Sequence, residues 1–142
     1  MPLGSDYFVR VYYRPTTGSG AWTAYGQSAG SFSVTSVAPI GVTAPTAGSI
    51  YFQGTPTGLP VTWTTAGAVS AGEFSIWVID PVAGGWYGGD IVAANGTTSY
   101  SGSTALNMPL SSTYFVRVYY RPTAGSGAWT DYGQSAGSFT VN

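Results

Sequence analysis

The chain has 142 residues, enough for one ordinary domain, and its formal net charge is −1. It contains no histidine, cysteine or lysine, which excludes thiol or imidazole catalysis, the usual zinc ligands, disulfides and Schiff-base chemistry. Only 6% of the residues are charged, so the basic surface that binds nucleic acid or an anionic membrane is missing. No apolar run is long enough for a membrane span, and no signal peptide is expected.

The sequence carries an internal repeat. Residues 1–34 recur as residues 108–141, an offset of 107 residues from position 1 to position 108, and the copies differ at only five positions. That offset is the size of one immunoglobulin-like sandwich. We therefore expect a complete repeat at 35–142, preceded at 1–34 by the last two strands of another repeat. A natural tandem array and an engineered duplication both stay open as its origin.

Glycine and proline interrupt the chain about every ten residues and no stretch has a helical apolar period, which is typical of an all-β protein. The strands predicted in the complete repeat are Ile40–Ala44, Ser49–Gln53, Leu59–Thr64, Glu73–Asp80, Trp86–Ala93, Ser99–Ala105, Tyr114–Arg121 and Trp129–Val141. The last of them is expected to be interrupted near 135–137. Tyr7–Arg14 and Trp22–Val34 repeat the final two. Turns are expected at 81–85 and 122–127.

Short apolar motifs follow one another along the complete repeat: Val42–Gly48, Leu59–Trp63, Phe74–Val78, Tyr114–Val118, Gly133–Ser135 and Ser138–Val141. In this order they resemble the Ser-Thr-rich immunoglobulin-like repeats of the Kre9/Knh1 type in microbial extracellular and surface proteins. The resemblance implies an immunoglobulin-like β-sandwich that acts as a stalk or spacer, with no catalysis or cofactor of its own. It also implies an extracellular or cell-surface location, which the cysteine-free, weakly charged composition favours.

Alternation along the predicted strand Tyr114–Arg121 places successive side chains on opposite faces of a sheet. The inward residues are expected to be Tyr114, Val116, Val118 and Tyr120, with Phe74, Ile76 and Val78 on the neighbouring strand. The outward residues, which we call the outer aromatic face, are Trp77, Ile79, Phe115, Arg117, Tyr119 and Arg121. Three interpretations stay open for this face: arginine side chains covering a solvated sheet, contact with a neighbouring repeat or chain, and carbohydrate binding centred on Trp77 and Tyr119.

Residues 1–34 are a hairpin without the rest of their domain, and an isolated hairpin exposes an apolar face and unpaired edges. We therefore expect the chain to self-associate through this segment, as a homo-oligomer or a filament. The residues expected at the contact are Tyr7, Phe8, Val9, Val11, Tyr13, Trp22 and Phe32. A domain swap, pairing of two hairpins and addition to a sheet edge stay open as modes of association.

The carboxylates do not predict a catalytic or metal site. Glu73 and Asp80 are on the order of 23 Å apart on one predicted strand, whereas the two carboxyl groups of a glycosidase are about 5–9.5 Å apart. Asp80 and Asp90 flank one predicted hairpin without the alternating oxygen ligands of a calcium loop. We expect no enzyme activity, metal or cofactor. Asn95 begins a candidate glycosylation sequon, Asn-Gly-Thr, in a predicted turn.

Overall fold

The computed structural model describes residues 4–15, 17–34 and 40–142. The chain divides into two compact units, Met1–Ser36 and Val37–Asn142, which we call the N-terminal unit and the main unit. Every regular element in the described ranges is a β-strand, which confirms the predicted all-β class.

The N-terminal unit has four short strands in its described residues: β1 (Gly4–Tyr7), β2 (Arg10–Tyr13), β3 (Ala24–Gln27) and β4 (Phe32–Val34). The first pairs with the fourth and the second with the third, both antiparallel. The four strands therefore form two short ladders that follow one another along a single hairpin.

Residues 40–142 of the main unit form nine strands: β5 (Gly41–Ala44), β6 (Ile50–Tyr51), β7 (Leu59–Val69), β8 (Glu73–Asp80), β9 (Gly85–Ala93), β10 (Thr97–Thr104), β11 (Ser111–Arg121), β12 (Asp131–Gln134) and β13 (Phe139–Val141). One sheet has the strand order β10-β7-β5. The other has the order β6-β13-β11-β8-β9, and β12 also pairs with β11. The pairing of β13 with β6 is parallel, and the other pairings are antiparallel.

The hydrophobic core lies between these two sheets, as in a β-sandwich. Its central side chains are the inward residues that alternation predicts on β8 and β11, namely Phe74, Ile76, Val78, Tyr114, Val116, Val118 and Tyr120. Trp63 of β7 faces them from the other sheet, with its ring centroid 5.4 Å from that of Phe74. The Trp63 ring also stacks on Tyr100 of β10 at 5.8 Å. Each such buried side chain contributes about 1.5–3 kcal/mol through removal of apolar surface from water.

Three strand boundaries show where the sequence pattern is sufficient and where it is not. β8 occupies the predicted residues, Glu73–Asp80. β7 continues past the predicted end at Thr64 because, after a β-bulge, Val69 pairs again with Thr97 of β10. β6 is shorter than predicted because a turn follows it directly. Long-range pairing and turns thus move strand ends that periodicity alone cannot place.

The two copies of the internal repeat pair in the same register. We call residues 4–34 the N-terminal hairpin and residues 111–141 the closing segment. Corresponding pairs, each shifted by 107 residues, are Gly4 with Val34 and Ser111 with Val141, Tyr7 with Phe32 and Tyr114 with Phe139, and Tyr12 with Tyr25 and Tyr119 with Tyr132. The predicted strand at 129–141 is two strands, β12 and β13, and the interruption predicted near 135–137 is confirmed.

One difference separates the copies. β11 runs unbroken over Ser111–Arg121, whereas the equivalent stretch of the N-terminal hairpin is broken at residues 8–9 into β1 and β2. Residues 115–116, which correspond to the break, pair with Ile79 and Val78 of β8. The N-terminal hairpin consists only of the equivalents of β11, β12 and β13, so it has no strand of its own that corresponds to β8. Pairing with β8 therefore accounts for the continuity of β11.

Candidate interaction surfaces

The bend between β3 and β4 of the N-terminal hairpin is held by contacts within the hairpin itself. The N–H of Ser28 donates to the carbonyl of Val9 at 2.9 Å, and the N–H of Val9 donates to Ser28 Oγ at 3.3 Å. In the closing segment, Ser135 and Val116 make the same two contacts at 2.9 and 3.2 Å. Since both copies adopt this geometry and only the closing segment has a β8 neighbour, the local sequence is sufficient to form it.

Arginine and aromatic side chains repeat in the same way. The guanidinium carbon of Arg10 lies 5.2 Å from the centroid of the Tyr25 ring, and that of Arg117 lies 5.0 Å from the Tyr132 ring. Cation–π contacts at such distances hold the arginine against the strand face. The outward side of the hairpin is therefore organised alike in both copies.

Burial distinguishes the two copies. Val118 is fully buried in the core, while Val11, its equivalent, is 70% exposed. Tyr120 is 6% exposed and its equivalent Tyr13 is 63% exposed. The face that closes the core of the main unit is thus presented to solvent in the N-terminal hairpin.

The residues predicted at an assembly contact fall into three groups. Tyr7 is half-buried. Exposed side chains, in contrast, are those of Phe8, Val9, Val11, Tyr13 and Trp22. The side chain of Phe32 lies outside the described residues, although its backbone is part of β4. Five of the seven predicted contact residues are therefore exposed, and three of them, Val9, Val11 and Tyr13, lie on the face whose equivalents are buried in the main unit.

An ion pair joins the closing segment to β8. Arg121 Nε donates to Glu73 Oε1 at 2.7 Å, and the N–H of Gly125 donates to the same oxygen at 3.1 Å. Arg121 also stacks on the Trp129 ring, 4.5 Å from its centroid. The hydrogen bond from Arg121 is the main cause that lowers the pKa of the Glu73 carboxyl below its ordinary value. This contact was not identified from sequence because it depends on the register of β11 against β8.

Arg14 is the counterpart of Arg121 in the N-terminal hairpin. Its guanidinium carbon lies 4.9 Å from the centroid of the Trp22 ring, which repeats the stacking of Arg121 on Trp129. Glu73 belongs to β8, so the hairpin contains the arginine and its aromatic support but no equivalent of the carboxylate.

Gly133 lies where the closing segment meets Ile40, the residue just before β5. A Cβ on Gly133 would lie 2.0 Å from the backbone oxygen of Ile40, a distance that no side chain tolerates. A Cβ on Gly26, the equivalent position, would meet nothing within 4 Å. The glycine at 133 is thus required by a close approach of two backbones, and the N-terminal hairpin carries the same glycine without that neighbour.

The outer aromatic face exists, but it is less accessible than alternation suggests. Phe115, Arg117, Tyr119, Arg121 and Trp77 are all half-buried. Ile79 is a correction to the predicted contact residues, because it is only 5% exposed. It lies between Phe115 of β11 and Trp86 of β9, its two cross-strand partners, whose rings cover it.

Two exposed rings on this face were not among the predicted residues. Trp86 is 52% exposed and Tyr132 is 56% exposed, and the Arg117 guanidinium carbon lies 5.7 Å from the first ring and 5.0 Å from the second. The ring of Trp86 packs edge-on against Trp77 at 6.1 Å. The expected turn at 81–85 would place Trp86 opposite Asp80, in phase with the inward residues of β8. The observed turn is one residue shorter and pairs Asp80 with Gly85 and Ile79 with Trp86, which puts this ring on the outer face.

Asp80 is a structural carboxylate at the turn between β8 and β9. Its Oδ1 accepts from the N–H groups of Val82 and Ala83, both at 3.0 Å, and from the hydroxyl of Thr113 at 2.9 Å. Its Oδ2 accepts from Ser111 Oγ at 3.1 Å. The pKa of Asp80 is lowered, mainly by the N–H of Ala83, and burial opposes that shift.

In the described part of the chain, no group of three or more His, Cys, Asp or Glu side chains is placed to hold a metal ion. Asp90 is exposed on β9 and lies opposite Ile76, next to a β-bulge in the pairing of β8 with β9. Asn95 is exposed in the turn between β9 and β10, and its Oδ1 accepts from the hydroxyl of Thr97 at 2.8 Å. The sequon is therefore on the surface, in the predicted turn.

Comparison with protein-family models and with curated proteins gives no match for this chain. Among the residues that the structure describes, no helix has the length and apolarity needed to cross a membrane.

Proposed function

We propose that the chain is a non-catalytic structural repeat of an extracellular surface, stalk or filament protein, and that it self-associates through the N-terminal hairpin by strand pairing or swapping. One observation carries the proposal. Val9, Val11 and Tyr13 are exposed, although their equivalents Val116, Val118 and Tyr120 form part of a core.

An immunoglobulin-like arrangement of the main unit is part of this proposal. Its support is the size of the repeat offset, the two packed sheets and the resemblance of the short apolar motifs to Kre9/Knh1-type repeats. The N-terminal hairpin is then the end of a preceding repeat. The extracellular or cell-surface location rests on the same resemblance and on the cysteine-free, weakly charged composition.

Energetic arguments favour a partner for the hairpin. A two-stranded hairpin is marginally stable by itself in water. Covering Val9, Val11 and Tyr13 would stabilise the molecule by about 1.5–3 kcal/mol for each side chain that becomes fully buried. An exposed apolar sheet face of this kind is typical of a surface that contacts another protein segment.

Light scattering after size-exclusion chromatography tests the proposal. The full chain is expected to run as an oligomer, and a chain that begins at Thr35 as a monomer, since the main unit contains the whole core. Val11→Asp is the matched point variant, because it places a charge on the exposed face without touching the core. A monomeric full chain at the highest concentration that stays soluble would overturn the proposal.

A second candidate function is carbohydrate binding on the outer aromatic face. It is favoured by the exposed rings of Trp86 and Tyr132, since planar rings can stack on the apolar faces of sugars. Trp77 and Tyr119, the residues first expected to bind a sugar, are half-buried and support these rings. The Arg117 guanidinium between the two exposed rings supplies hydrogen-bond donors for hydroxyl groups.

Binding to a glycan array, measured both for the full chain and for the chain that begins at Thr35, tests this second function. Trp86→Ala and Tyr132→Ala should abolish binding, while Trp22→Ala in the full chain serves as the control ring outside the face. If no glycan binds, or if binding survives both substitutions, carbohydrate recognition by this face is wrong.

A further inference from the structure

We infer that the N-terminal hairpin is a ready-made closing segment for a second repeat body, one of the type formed by residues 40–107, that lacks its own. This inference deepens the proposed function, because it names the partner of the same hairpin. The partner is a polypeptide of this chain's own sequence type, with β8 open along the edge that β11 otherwise occupies.

The first argument is register. In the main unit, β11 lies against β8 with Val116 opposite Val78, Val118 opposite Ile76, Tyr120 opposite Phe74 and Arg121 opposite Glu73. The same offset of 107 residues places Val9, Val11, Tyr13 and Arg14 opposite those β8 residues of another body. The side chains are identical at all four positions, so the core that forms would be the same.

The second argument is electrostatic. Glu73 is only 8% exposed, and Arg121 Nε donates to it at 2.7 Å. In a body without a closing segment this carboxylate has neither the Arg121 guanidinium nor the N–H of Gly125 as a partner. Arg14 already stacks on Trp22 as Arg121 stacks on Trp129, so its guanidinium lies over the equivalent ring before any partner binds. The hairpin thus brings the missing charge in an ordered side chain.

The third argument is steric. The close approach of Ile40 to the closing segment leaves no room for a Cβ at position 133. The N-terminal hairpin has Gly26 at the equivalent position, so another body's Ile40 can approach it equally closely. The hydrogen bonds between Ser28 and Val9, at the bend between β3 and β4, are also already formed in the hairpin. The reorganisation that binding requires is therefore confined mainly to residues 8–9, where the break between β1 and β2 must close to give the continuous strand seen in β11.

Stoichiometry defines which body accepts the hairpin. Each chain has one body and two closing segments, so exchange between intact chains buries no additional surface. The exchanged hairpin also carries Gly4 and Asp6 in place of Ser111 and Thr113, so it lacks the two hydroxyls that donate to Asp80 and brings a second carboxylate there. The intramolecular segment also has the advantage of high effective concentration. Between intact chains the hairpin therefore associates by strand pairing, and its insertion into a body is productive only where the partner's own closing segment is absent or disabled.

The same substitution, made at equivalent positions of the two copies, tests the inference in the full chain. Val118→Asp disables the closing segment, and the free N-terminal hairpins then equal the open bodies in number. This variant is expected to fold, with native near-ultraviolet circular dichroism, only as assemblies of two or more chains. Val11→Asp should fold without such head-to-tail insertion, and the double variant should not fold.

A mixing experiment keeps the inference falsifiable if Val118→Asp alone precipitates. The double variant supplies a body that folds only when another chain's hairpin closes it, and each wild-type chain supplies one such hairpin. The mixture should therefore give a complex of the two chains in equal numbers by light scattering and recover native near-ultraviolet circular dichroism from the double variant. Val11→Asp and Gly26→Ala chains, whose hairpins cannot dock, should give none. If wild-type chain fails to bind the double variant, or if Gly26→Ala binds as well as wild type, the inference is wrong.

Charge reversal tests the pairing of Arg14 with Glu73. Arg14→Glu in the hairpin donor should weaken the mixed complex at least tenfold, and Glu73→Arg in the double variant should restore it. Equal binding by all combinations would remove the ion pair from the inference. These outcomes are independent of the oligomeric state of the wild-type chain alone, which decides the proposed function.

Discussion

Arg121 Nε donates to Glu73 Oε1 at 2.7 Å and so ties the end of β11 to the start of β8. The N–H of Gly125, in the turn that follows β11, donates to the same carboxylate. One glutamate therefore fixes both the register of the central strand pair and the position of the next turn. The half-exposed Trp129 ring covers the guanidinium from the solvent side.

Glu73→Gln is expected to lower stability at neutral pH and to make it less sensitive to acid. The folded state holds the pKa of Glu73 below its ordinary value of 4.5, so the unfolded chain takes up the proton first as the pH falls. The stabilisation is thus present above pH 4.5 and is lost as the pH falls through the folded pKa. Melting temperatures from neutral pH to about pH 3 check this. Parallel curves for wild type and variant would contradict it.

Asp80→Ala is expected to destabilise the main unit by about 1–3 kcal/mol, because two backbone N–H groups and two hydroxyls lose their acceptor. Asp80→Asn should cost less, since its single carboxamide oxygen can still accept from the N–H groups of Val82 and Ala83. Denaturant unfolding followed by tryptophan fluorescence measures both variants. Asp90→Asn is the exposed control, and an equal effect there would contradict a specific role for Asp80.

Val118→Ala and Val11→Ala make the same chemical change in equivalent positions of the two copies. The first removes two methyl groups from a fully buried site and should cost about 2–3 kcal/mol. The second lies on the exposed face of the hairpin and should change the unfolding free energy of the main unit by less than about 0.5 kcal/mol. Midpoints of urea unfolding give the comparison. Similar losses for both variants would show that Val11 is also buried in solution.

Gly133→Ala is expected to destabilise the main unit by more than about 3 kcal/mol, because the new methyl group would overlap the backbone of Ile40. Gly26→Ala should be tolerated, since nothing lies within 4 Å of the added carbon. Thermal unfolding of the two variants checks the difference. A stable Gly133→Ala variant would mean that β5 can move away from the closing segment at little cost.

Alternation was enough to predict the inward residues of β8 and β11, because each strand has one face packed on a core and the period of two is strict. It failed for Ile79. That residue points away from the core, yet its burial depends on Trp86 and Phe115 in the two neighbouring strands. Outer-face burial is a property of cross-strand register, which the sequence of one strand does not contain.

The interaction surfaces show the same division. The exposed apolar face of the N-terminal hairpin could be predicted because the internal repeat makes the missing neighbours visible in the sequence itself. The pairing of Glu73 with Arg121 could not, since the two residues are 48 positions apart and meet only through strand pairing. Features within the repeated segment could be predicted from the sequence, whereas contacts between strands far apart in sequence could be seen only in the structure.

The closing segment is enclosed by the rest of the main unit. The N-terminal hairpin forms the same hydrogen bonds and arginine stacking without an equivalent body of its own. Contacts inside such a hairpin join residues about as close in sequence as Arg117 and Gln134, which are 17 positions apart. Short loops close faster than long ones, so the hairpin should form before β11 meets β8. The last step in folding a repeat would then be the docking of a preformed hairpin on an open sheet. Substitutions on the docking face should accordingly accelerate unfolding, whereas those in the hairpin turn should slow folding.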